Sequence, residues 1–164
     1  MVEYNIGFSD NLVSAAQFIA NQGDQSEDAA RTVLYLSCLA CEISLKALLE
    51  CTGKPVPEIK KLGHNLAALL NELEKCKVKA PVVKGFMAWV PATRLRAVTV
   101  DKRFTNATVG TILSAEEMTD QYTSKYPNDV RYGSTIRHYP HQLVLETAVR
   151  VTDWAKAHRD KIMQ

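Results

Sequence analysis

Apolar residues recur at helical spacing through most of this chain. After Ser9 and Asp10, the residues Leu12, Ala15, Ala16 and Ile19 share one face, and the pattern stops near Gly23, which predicts a first amphipathic helix. Asp24 is placed to cap a second helix, with Glu27 three residues on in capping-box spacing. From Ala29 onward, Ala30, Val33, Leu34, Cys41, Leu45 and Leu48 lie on one side. Leu36, Ala40, Ile43 and Ala47 cover another. A helix apolar around most of its circumference is central, packed by neighbours on all sides. Gly53 and Pro55 end it.

Lys54 to Gly63 reads as a loop, and His64 opens a third helix carrying Leu66, Leu69, Leu70 and Leu73. Beyond Cys76 the periodicity weakens. Pro81, Gly85, Pro91 and the β-branched run Val98-Thr99-Val100 forbid a long helix, and Val82 to Trp89 fits a short one. Ser114 with Glu117 has capping-box spacing for a helix reaching about Ser124. Pro127-Asn128-Asp129 and Gly133-Ser134 mark a turn-rich connection. Pro140 then suits the first turn of a last helix, with Leu143, Leu145, Ala148, Val149, Thr152, Trp154 and Ala155 at helical spacing. No set of alternating strands stands out. The expected architecture is one all-α domain over residues 1–164, a bundle of four to five helices.

Composition narrows the function classes. The 164 residues are 46% hydrophobic and 23% charged, the balance of a globular protein rather than a disordered one. A formal charge of +2 argues against a strongly basic nucleic-acid coat or an acidic tail, while leaving room for a local basic patch. The N-terminus has no basic region followed by an apolar run. The longest apolar segment, Ala29 to Leu49, is interrupted by Arg31, Glu42 and Lys46 and reads as too polar for a membrane span. A cytoplasmic protein without membrane association is expected. The four cysteines lack the paired spacing of a zinc site, so they read as buried thiols; no metal and no cofactor are expected.

Four features bear on chemistry. Glu42 and Lys46 stand one turn apart on the most apolar helix, either as intrahelical support or as a polar stripe facing a groove or subunit interface. His64, at a helix start, is suited to capping or to bonding a loop carbonyl. Lys84 to Arg103 carries Lys84, Arg94, Arg96, Lys102 and Arg103 against the single acid Asp101, with Phe86 and Trp89 among them. Such a stretch can hold a phosphate backbone and stack a base, or be a solvated charged face. The run from Tyr126 to His141 contains Arg131, Arg137, His138 and three tyrosines just before the last helix. An Arg can stabilise charge on a phosphorane and a His can move a proton near neutral pH, which together suffice for metal-free RNA cleavage or for nucleotide binding.

Three segments, Ala40-Cys41-Glu42-Ile43-Ser44-Leu45-Lys46-Ala47, then Gly63-His64-Asn65-Leu66, then Val130-Arg131-Tyr132, follow in the order seen in one known family. Its patterns are a Glu-x-x-x-Lys-Ala helix, a His-Asp-Leu helix start and an Arg-Tyr-Pro-like element before the final helix. Over about Asp10 to Ala157 the chain thus resembles the HEPN (higher eukaryote and prokaryote nucleotide-binding) family. The resemblance implies a HEPN-like helical bundle that forms a homodimer and acts on or binds RNA or nucleotides. Active members are metal-independent endoribonucleases of toxin or defence type, with an Arg and a His a short run apart and a cleft built across the dimer. Six residues separate Arg131 from His138 and three separate Arg137 from His141, so Arg131 and His138 are the implied catalytic pair. Arg137, Tyr132, His141, Lys46 and Glu42 are the implied nucleotide- or RNA-binding residues, and a nucleotidyltransferase-like antitoxin is an implied partner. A non-catalytic nucleotide- or RNA-binding module and a dimeric protein-interaction module remain the alternatives.

Overall fold

The structure, a computed structural model, describes residues 2–101, 103, 106–116, 126–132 and 140–164, with the side chains of 115 and 116 excepted. The first helix, α1 (Ile6–Asn21), starts at Asn5, whose side chain accepts a hydrogen bond from the Gly7 amide at 2.8 Å. Ser9 and Asp10, expected to lie just outside the helix, therefore fall in its first turns. The second, α2 (Glu27–Cys51), is capped by Ser26, which accepts from Ala29 N at 3.1 Å. Asp24 stands one step back, accepting from Ser26 N at 2.8 Å, so it shapes the approach and does not cap the helix. Glu27 and Asp28 occupy the first turn of α2, where acids complement the helix dipole.

Helix α2 is the central element. Val33, Leu34, Cys38, Cys41, Leu45, Leu48 and Leu49 are all within 1% of complete burial. Each such leucine contributes roughly 1.5–3 kcal/mol of transfer free energy. Around α2 pack α1, the helix α4 (Leu66–Leu73) and the last helix, α7 (His141–His158). By length and composition α2 also passes for a membrane span, contrary to the expectation that its charges disqualify it. Yet 72% of its most apolar window is buried inside the protein, as befits a core helix. Cys38, Cys41 and Cys76 are buried and Cys51 is exposed at the helix end, none of them in a disulfide among the described residues.

The segment read as a loop after α2 contains a short helix, α3 (Val56–Lys61), with Pro55 at its N-cap. Helix α4 is capped by Asn65, which accepts from Ala68 N at 2.7 Å; His64 is thus released from capping.

The expectation of an all-α fold, and of a short helix over Val82 to Trp89, needs correction. Residues Lys77–Val83 (β1) and Phe86–Pro91 (β2) form an antiparallel hairpin, and Ile162–Met163 (β3) pairs with the other edge of β1, in the order β2-β1-β3. Cross-strand partners share a face. Val78, Ala80, Ala88, Val90 and Ile162 therefore turn inward, while Lys77, Lys79, Pro81, Met87 and Trp89 turn outward. The alternation Lys77-Val78-Lys79-Ala80 is a strand pattern, and Gly85, at φ +85°, provides the left-handed residue of the turn. The protein is a mostly helical fold with a small antiparallel sheet.

After the hairpin, Arg96 pairs with Glu74 and donates to Asn71 at 2.6 Å, fastening the connection to α4. Helix α5 (Val109–Glu116) begins ahead of Ser114, because Thr108 and Thr111 supply reciprocal hydroxyl–amide bonds at its start. The remainder of the helix expected to reach Ser124 lies outside the described residues. A single helical turn, α6 (Asn128–Tyr132), replaces the expected turn at Pro127-Asn128-Asp129. Seven α-helices are present among the described residues, against the four to five expected. The additional ones are mostly of five to eight residues, too short for a periodic pattern to reveal.

Candidate functional site

Glu42 and Lys46 occupy successive turns of α2 and form an ion pair at 2.7 Å, with 4% and 6% of their surfaces exposed. Two buried charges cost several kcal/mol each to desolvate, unless their remaining hydrogen-bonding capacity is met. For Glu42 it is met here by residues outside α2. The Tyr126 hydroxyl donates to Glu42 Oε2 at 2.7 Å, and His64 Nδ1 lies 3.1 Å from both carboxylate oxygens. Lys46 Nζ also stands 5.6 Å from the centroid of the Tyr4 ring, within cation–π range. The intrahelical pair is therefore real, but it is also the centre of a network joining α2, the turn before α4, and the segment leading into α6.

The network continues toward the surface through Tyr35, two turns before Glu42 on α2. Tyr35 and Tyr126 rings are 5.8 Å apart and tilted by 47°, and the His64 ring meets Tyr126 edge-on at 6.3 Å. Arg131 of α6 donates to the Tyr35 hydroxyl from Nε at 2.9 Å and from Nη2 at 2.6 Å, with the guanidinium 5.3 Å from the ring centroid. Arg131 is exposed, and Tyr132 beside it is 78% exposed.

Burial, reinforced by the charge of Glu42 and the hydrogen bond to it, pushes the Tyr126 hydroxyl far above the ordinary phenol range. It stays a donor at every working pH. The bond to Tyr35, followed by one to Tyr132, holds Arg131 still more firmly in its cationic form. Nδ1 is the ring nitrogen of His64 that Glu42 engages, which leaves Nε2 outside that contact. The imidazole is 55% exposed in its side chain. The site thus presents one oriented cation and one oriented imidazole at the rim of a buried network. A fixed guanidinium suits a phosphate oxygen pair, and an imidazole held by a carboxylate suits proton transfer.

The structure brings Glu42, Lys46, Arg131 and Tyr132 into this one region. His141 is the first residue of α7 and is partly buried. Arg137 and His138 lie outside the described residues, as does Gly133-Ser134. Tyr35 and Tyr126 were not among the expected members, and His64, expected to cap a helix or bond a loop carbonyl, has Glu42 as its partner. Spacing could not have found these, since 84 residues separate Tyr126 from Glu42 and 96 separate Arg131 from Tyr35. A separate cavity of about 890 Å³ lies between α5, the strand-like segment before it and the first turns of α7, with Arg103, Thr111, Gln142 and Glu146 among its walls. Neither Arg131 nor His141 lines it. Among the described residues no three His, Cys, Asp or Glu side chains gather as metal ligands. Compared with models of known families, with curated proteins and with solved structures, the chain finds no match.

Proposed function

We propose that the protein is a HEPN-like helical module that binds RNA or nucleotide phosphate at the surface around Arg131 and, with His138, cleaves RNA without a metal. The observation that carries this is the convergence of three separate segments on one network: Glu42 and Lys46 from α2, His64 before α4, and Tyr126 with Arg131 around α6. These are the segments on which the resemblance rests, and their meeting gives each a common physical purpose. The buried part holds Tyr35 and Tyr126 in place, and Tyr35 in turn aims Arg131. A guanidinium has five donors, and the Tyr35 oxygen takes only two of them.

In the cleavage step the RNA 2′-hydroxyl attacks the adjacent phosphorus as it loses its proton, and the bond to the 5′ oxygen breaks as that oxygen gains one. A cyclic phosphate and a 5′-hydroxyl result. Arg131 neutralises charge on the phosphorane, and His138 transfers the proton. A second copy of the chain completes the site in this reading, and a nucleotidyltransferase-like protein acts as antitoxin. The test is incubation of the purified protein with RNA in chelator. Cleavage leaving cyclic phosphate ends is expected, falling about 10²–10⁴-fold in His138→Ala, the usual worth of general acid–base transfer. His141→Ala is expected to do much less. RNA binding without any cleavage, weakened by Arg131→Ala, would make the non-catalytic module the correct account. RNA binding and cleavage unchanged in Arg131→Ala would reject the site.

A further inference from the structure

The hairpin β1–β2 carries a surface that the Arg131 region does not explain. Val83, Phe86, Met87 and Trp89 are 62%, 69%, 48% and 46% exposed on a protein whose other large apolar groups are mainly buried, with Met87 and Trp89 on the outward face and Phe86 alternating to the other at the turn end. The strand register puts Trp89 directly across from Lys79, Met87 across from Pro81, and Phe86 across from Val83. Lys77, two residues from Lys79, shares its outward face, and Lys84 lies in the turn beside Phe86. Lys77, Lys79 and Lys84 are exposed and make no ion pair among the described residues, and Arg94 reaches only the carbonyl of Pro81. No acidic residue occurs from Lys77 to Val100. An exposed indole set among cations results on the outward face.

We propose that this outward face of the hairpin is a binding platform for single-stranded nucleic acid, with a base stacking on Trp89 and phosphates held by Lys77, Lys79, Lys84 and Arg94. The inference rests on the nucleic-acid reading above for its ligand class, but it stands on different residues. Three physical points select this occupant. An aromatic ring flanked by cations meets both demands of an unpaired strand, a planar base and an anionic backbone, without reading sequence. A second copy seated face to face would oppose lysine to lysine, the like-charge arrangement that disfavours self-association. Insertion into a lipid bilayer would drive the turn residue Lys84 deepest, where a charge is most costly. The sheet is also anchored through β3 immediately after the C-terminal end of α7.

The experiment uses full-length protein carrying Trp154→Phe, leaving Trp89 as the sole indole reporter, and a 20-nucleotide oligouridylate as probe. Quenching of Trp89 on binding is expected, with weaker binding of a duplex of equal length and of heparin, which has charge but no bases. Trp89→Leu keeps an apolar side chain in place and is expected to weaken oligouridylate binding by about 5- to 100-fold, as loss of one stacked base does. Lys79→Gln with Lys84→Gln is expected to lower the slope of log affinity against log salt by about 0.7 for each phosphate that is no longer neutralised. Circular dichroism unchanged in these variants shows that the fold survives. Equal binding of heparin and oligouridylate with no Trp89 response overturns the platform. So does a blue shift of Trp89 on anionic phosphatidylserine vesicles with none on oligouridylate, or concentration-dependent association abolished by Trp89→Leu. If Arg131→Ala loses binding while Trp89→Leu keeps it, this inference fails and the Arg131 site stands; the reverse result rejects that site and keeps the platform.

Discussion

At the scale of single residues, the energetics concentrate on Glu42. Its carboxylate is buried and is approached by Lys46, Tyr126 and His64. Removing the Tyr126 hydroxyl leaves two partners in place, so Tyr126→Phe is expected to cost about 1–3 kcal/mol, the range for a lost bond to a buried charged acceptor. Glu42→Ala leaves the Lys46 ammonium buried without its counter-ion and is expected to cost more, about 3–5 kcal/mol. Urea unfolding with unchanged slope and a shifted midpoint measures both. A neutral Tyr126→Phe would show that the hydroxyl bond is replaced by solvent and that the network does not hold the site. The Glu42–Lys46 spacing was readable as an ion pair from sequence. Its burial and its tyrosine and histidine partners were not, because those partners lie 84 and 22 residues away, beyond any local spacing.

At the scale of elements, helix starts were readable to within a few residues, and the errors have a common cause. Asn5, Ser26 and Asn65 cap α1, α2 and α4, whereas Ser9 with Asp10, Asp24 and His64 were the expected starts. Two polar residues close together each offer a cap, and packing of the following apolar face decides between them. The join between α2 and α4 has a titratable clasp. Lys54 Nζ lies 2.7 Å from Glu72 Oε1, with both side chains less than a fifth exposed, and Lys75 adds a second contact to Glu72. The hydrogen bond from Lys54, then that from Lys75, holds the Glu72 carboxyl below the usual carboxylate range. The folded protein therefore takes up this proton less readily than the unfolded chain. The resulting stability is complete above the ordinary carboxylate range and is lost as pH falls through the depressed folded value. For Lys54 the bond to Glu72 raises the ammonium, so its share is complete below the ordinary lysine range and is lost as pH rises through the raised value. Glu72→Gln is expected to lower stability by about 1 kcal/mol at neutral pH and by progressively less toward acid. Unfolding midpoints across that pH range measure this, and a constant difference between variant and wild type would refute the clasp.

At the scale of the whole molecule, the fold covers the apolar circumference of α2 within the chain, so that helix lends no support to a homodimer. Support for the proposed dimer therefore rests on the family resemblance and on other exposed apolar groups, Phe8 and Phe18 of α1 at 50% and 67%. Light scattering is expected to give twice the 18.3 kDa chain mass at micromolar concentration, and a persistent monomer would remove the second copy from the site. What the sequence determined alone was the central helix, its two long neighbours α1 and α7, and the segments worth watching, since helical periodicity and local charge spacing are properties of contiguous residues. Only the tertiary structure decided that Lys77 to Pro91 is a hairpin and that Tyr35, His64, Tyr126 and Arg131 meet around Glu42. Strand pairing and a buried polar network both depend on which distant residues become neighbours. No local period encodes that.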